Sequence, residues 1–115
     1  MSSRFAPLPK PPYYAVIFAN QICDAPEGYG EMADKMVELA QVQPGFLGIE
    51  STRDEDGFGI TVSYWLDEAA IAAWKAKGAH LAAQDFGITR WYDHYHLRVA
   101  KVERAYAGPD GRSVK

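Results

Sequence analysis

Residues 13–23 read YYAVIFANQIC, a run of aromatic and β-branched residues closed by Asp24, Pro26 and Gly28, and this predicts a strand. From Tyr29 the spacing changes: Tyr29, Met32, Met36, Leu39 and Ala40 fall three or four apart until Pro44 and Gly45, the mark of an amphipathic helix. Residues 46–53 predict a second strand, and the tight-turn sequence DEDG at 54–57 leads into a third over 58–66, so these two form a hairpin. Asp67 is placed to cap a second helix with Glu68 in its first turn; Ile71, Trp74, Gly78 and Leu81 mark its apolar face, and the helix is expected to end near Gly87. A long strand over about 91–104 closes the body.

The order β-α-β-β-α-β predicts an α+β, ferredoxin-like domain: a four-stranded antiparallel sheet with both helices on one face. Its first strand is apolar in both registers, with Tyr14, Val16 and Phe18 on one side and Ala15, Ile17 and Ala19 on the other. The sheet face away from the helices therefore needs a cover, and a second copy of the chain in a twofold homodimer is the economical one.

A chain of 115 residues makes a single domain with a real core. Twelve Lys and Arg against 15 Asp and Glu give a net charge of −3, which argues against nucleic acid as the main partner. No apolar run is long enough for a membrane-spanning helix, and the N-terminus does not read as a secretory signal, so a cytoplasmic protein is expected. Residues 1–12 form a proline-rich arm, held extended by Pro7, Pro9, Pro11 and Pro12, that lies over the surface or over a partner subunit. Residues 13–106 are the domain, and 107–115 read as a frayed tail.

Three stretches, QPGFLGIES, ITVSYWLDEAAIAAWK and WYDHYHLRVAKVERAY, resemble the antibiotic biosynthesis monooxygenase superfamily over residues 13–106. The resemblance implies a dimeric α+β barrel, and it brings in several chemistries, among them cofactor-independent oxygenases and haem-degrading oxygenases. The haem-degrading branch uses an asparagine on the first strand, a tryptophan on the second helix and a histidine ten residues later as the iron ligand. Asn20 and Trp74 match, but Gln84 stands at the ligand position and His80 lies one turn earlier, a shift of about 5–6 Å along the helix. Haem is thus disfavoured, and no cofactor is expected.

A cofactor-free oxygenase needs an easily oxidised aromatic substrate, an apolar pocket and donors that favour the substrate anion. Asn20 offers an amide donor, Trp74 an aromatic wall and His80 a base of near-neutral pKa, so these three are the catalytic candidates. Gln84, Arg90, Trp91, Tyr92 and Tyr95 are the substrate-binding candidates, with Arg90 able to steady an anion. Each has a plainer role. Asn20 could be satisfied by a neighbouring segment, Trp74 could simply pack, and His80 points about 140° from the apolar face of its helix.

His94 and His96 form an H-x-H pair without an evident third ligand, so no metal site is expected, and Cys23 has no partner base. Nucleotide-binding glycine motifs, the H-E-x-x-H motif and the nucleophile elbow are all missing. The expected function is a cofactor-independent monooxygenase acting on a small aromatic, phenolic or quinol-like substrate. The alternative is a non-catalytic binding or structural dimer.

Overall fold

A computed structural model describes residues 4–22, 29–85, 92–109 and 112–114. The elements are β1 (Tyr13–Ile22), α1 (Tyr29–Gln41), β2 (Phe46–Arg53), β3 (Phe58–Trp65), α2 (Glu68–Asp85), β4 (Tyr92–Val102), β5 (Ala105–Ala107) and β6 (Arg112–Val114). Strands β2-β3-β1-β4 form one antiparallel sheet in the ferredoxin-like order. The expected strand end at Cys23 and helix end near Gly87 lie outside the described residues.

The predicted turn signals act as expected. At the β2–β3 hairpin Gly57 takes φ 88°, and the Asp54 carboxylate accepts the N–H groups of Asp56 and Phe58 at 2.9 and 3.0 Å. Asp67 caps α2 by accepting the Ala70 N–H at 2.8 Å. Gly78 lies on the buried side of α2 beside Met36 of α1, and a Cβ there would meet the Met36 sulfur at 3.5 Å, an ordinary packing distance between the two helices.

One sheet face carries Tyr14, Val16, Phe18 and Asn20 of β1 beside Trp65, Ser63, Thr61 and Gly59 of β3. The helices cover the β1 and β3 part of this face, where Val16, Ala40, Trp65 and Ile71 form the core with Tyr14, Phe46, Ala70 and Trp74 packed on it, whereas Tyr95, Leu97 and Val99 of β4 on the same face are exposed.

On the opposite face Tyr13 and Ala15 are buried. The proline-rich arm accounts for one corner of that cover: the Ala6 N–H donates to Glu50 at 2.8 Å, and Gly48 leaves room for Ala6 and Pro7. The arm thus lies on its own sheet. Further along the same face Phe58 and Ile60 remain exposed.

The segment read as a frayed tail is different in the structure. Ala105, Tyr106 and Ala107 pair with Val114, Ser113 and Arg112 in a short antiparallel ribbon, and Ala105 is buried. Backbone pairing supplies the order that the sparse apolar side chains of this segment do not advertise.

Candidate functional site

Asn20 sits in a strand whose neighbours are apolar, and it is 2% exposed. A buried amide must find partners, and this one finds them across the sheet. The registers place Arg53 of β2 opposite Gly59 of β3, Gly59 opposite Asn20, and Asn20 opposite Tyr95 of β4, so the four residues form one row. Alternate strands lie about 10 Å apart, so only a long side chain on β2 can reach β1. Arg53 does: its Nη2 donates to Asn20 Oδ1 at 2.6 Å, and its Nη1 to the Gly57 carbonyl at 2.6 Å.

Gly59 makes this crossing possible. A Cβ at position 59 would stand 2.8–3.0 Å from the guanidinium carbon and nitrogens of Arg53. Glycine in a strand interior weakens the strand and often marks a close approach by another group, and here that group is a cation.

Beyond Asn20 an aromatic wall continues the row. Phe18 meets Tyr92 and Tyr95 edge to face, with ring centroids 5.1 and 5.5 Å away, and the two tyrosines lie 6.1 Å apart. An amide backed by a positive charge therefore stands beside aromatic rings on the helix side of the sheet, with Tyr95 at its exposed rim.

Of the predicted site residues, the structure brings together Asn20, Tyr92 and Tyr95. Trp74 is placed apart from them. Its ring lies 5.3 Å from that of Trp65, whose strand partner Tyr14 is about 20 Å along β1 from Asn20. It packs in the core, although its indole N–H is buried with no acceptor among the described residues.

The chain leaves β3 at the Trp65 end of the sheet and enters β4 at Tyr92, beside Ile22, so α2 carries the backbone of His80 and Gln84 toward the Asn20 end. The side chains of His80 and Gln84, and Arg90 and Trp91 altogether, lie outside the described residues.

Arg53 and Gly59 were not legible as site residues from the sequence. The available signal was a glycine inside a predicted strand, across a hairpin from an arginine. His94 and His96 lie side by side on the opposite sheet face, exposed, with Nε2 atoms 2.9 Å apart. Among the described residues no third His, Cys, Asp or Glu joins them, and no helix there is long and apolar enough to cross a membrane.

The family model for antibiotic biosynthesis monooxygenases matches residues 13–85, and the chain belongs to that family. It is 54% identical over 96 residues to the uncharacterized protein YqjZ of Bacillus subtilis, a match covering 84% of each chain. It is 30% identical over 82 residues to a jasmonate monooxygenase of Pyricularia oryzae, covering 68% of this chain and 37% of that longer one. Its fold is similar to that of SnoaB, a cofactor-independent oxygenase from Streptomyces nogalater, with TM-score 0.61 and 14% identity over 86% of this chain and 99% of that one.

Proposed function

We propose that this protein is a cofactor-independent monooxygenase that oxidises a small phenolic or quinol-like aromatic with dioxygen. The observation that carries the reading is the buried Asn20 amide, backed by Arg53 and flanked by Phe18, Tyr92 and Tyr95. Family membership and the oxygenase names of a relative and a structural neighbour support the reaction class.

Dioxygen accepts electrons readily only from an electron-rich anion when no metal or flavin intervenes, so the substrate ring is the reductant. For an anthrone, the ring methylene loses two hydrogens, one oxygen atom becomes the new carbonyl, and the other leaves as water. Asn20 donates a hydrogen bond to the substrate oxygen and favours its anion. The aromatic wall holds the ring, and His80, carried by α2, takes the phenolic proton. Gln84, Arg90 and Trp91 are the further substrate-binding residues of this reading, whereas Trp74 supports the fold from the core.

The active unit is a homodimer in which a second copy covers the exposed Phe58 and Ile60. The test is incubation with hydroquinones and anthrones under isotopically labelled dioxygen. One labelled oxygen in the product supports the reading, and an unlabelled or unchanged panel refutes it. A haemin titration of the same preparation, followed by reductant in air, identifies the haem-degrading chemistry instead if the Soret band shifts saturably and then disappears.

A further inference from the structure

We infer that Arg53 is a positioning residue that makes Asn20 a one-way hydrogen-bond donor, so that this site selects an anionic oxygen over a neutral hydroxyl. The inference rests on the oxygenase site described above, and it adds a residue and a selectivity to it. A guanidinium carries only donors, so the Asn20 atom that meets it at 2.6 Å must be the amide oxygen. The amide cannot flip without facing N–H against N–H. Its nitrogen is thereby turned away from Arg53, where one hydrogen goes to the Phe18 carbonyl at 3.2 Å. The other is what a ligand oxygen meets.

A neutral hydroxyl can donate or accept, whereas a phenolate oxygen only accepts. An amide held with its nitrogen outward matches the phenolate. The adjacent guanidinium adds to this, because withdrawing electron density through Oδ1 strengthens the N–H donor in a weakly screened setting. Among the described residues the Asn20 oxygen and the Gly57 carbonyl hold Arg53 over the flat spot at Gly59. A lysine could place its charge nearby but could not reproduce the planar fork.

The experiment titrates the full chain with 4-nitrophenol, whose anion is yellow, across the pH range in which the free phenol ionises. The wild type is expected to bind the anion at least about tenfold more tightly than the neutral form, lowering the apparent pKa of the bound phenol. Arg53→Met is expected to lose that preference, while Arg53→Lys restores part of it. Gly59→Ala is the second variant. It keeps the arginine but puts a methyl group where the guanidinium lies, so it should lose the preference even if Arg53→Met fails to fold.

An unchanged preference in both Arg53→Met and Gly59→Ala overturns the inference, as does a wild type that binds neither form or binds the neutral one better. Binding is read without turnover, so the two ideas fail separately. An Arg53-dependent preference without oxygenation would leave the anion site standing and the oxygenase reading refuted. Oxygenation with no such preference would do the reverse.

Discussion

Arg53 on β2 passes over Gly59 of β3 to hold the amide oxygen of Asn20 on β1, at 2.6 Å. The contact ties the buried polar residue to the edge strand β2, across β3, and gives Asn20 two separable roles, one in the fold and one toward a ligand. Asn20→Asp separates them. It keeps an acceptor for Arg53 and removes the outward N–H, so its denaturant stability should stay within about 2 kcal/mol of the wild type, the buried pair roughly balancing its desolvation. Oxygen uptake should nevertheless be lost. Asn20→Ala should lose both, with stability falling by about 1–3 kcal/mol because the guanidinium loses one of its buried acceptors.

Trp74 packs on Trp65 with its indole N–H buried and unmatched among the described residues. Replacing it by phenylalanine sacrifices ring contact but also removes the orphan donor. Trp74→Phe should therefore cost less than about 1.5 kcal/mol, against about 3–5 kcal/mol for Trp74→Ala. Chemical denaturation of the two variants checks the ordering, and a Trp74→Phe loss as large as that of Trp74→Ala would contradict it.

Tyr64 donates its hydroxyl to Glu50 at 2.8 Å, and burial followed by that bond pushes its pKa up to about 12 from 10.0. Below pH 10 both folded and unfolded chains hold the proton, so this group adds no pH dependence. Between 10 and about 12 the unfolded chain loses it first, and stability falls as pH rises. Denaturant midpoints across this alkaline range should decline in the wild type and decline less steeply in Tyr64→Phe.

Phe58 is 46% exposed and Ile60 39% exposed on the sheet face away from the helices. With a second copy over that face, sedimentation should give the mass of two chains, and Ile60→Glu should give one, because a carboxylate there would be buried unpaired. A wild-type monomer would leave the patch to some other partner.

The order of elements, the antiparallel sheet, the hairpin at 54–57 and the Asp67 cap were legible in the sequence, because each rests on periodicity or on turn chemistry acting over a few residues, whereas β1, apolar in both registers, did not show which of its faces the helices cover. Asn20 was legible as a polar break in an apolar strand. Its partner was not, since Arg53 is brought to it only by the register of three strands. Trp74 shows the reverse limit. Helical spacing put it correctly on the core face, but spacing says nothing about how far along the sheet that face meets it. The ribbon of β5 and β6 was missed because backbone pairing leaves little trace in side-chain hydropathy.

The most direct test of the central claim is oxygen consumption by haem-free, metal-chelated protein given an anthrone, with wild type and Asn20→Ala compared in one electrode cell. Wild type should consume one dioxygen per quinone formed, and Asn20→Ala should fall by a factor of about 100 or more. Equal rates in the two proteins, or no uptake above buffer by the wild type across the hydroquinone and anthrone panel, would contradict the account.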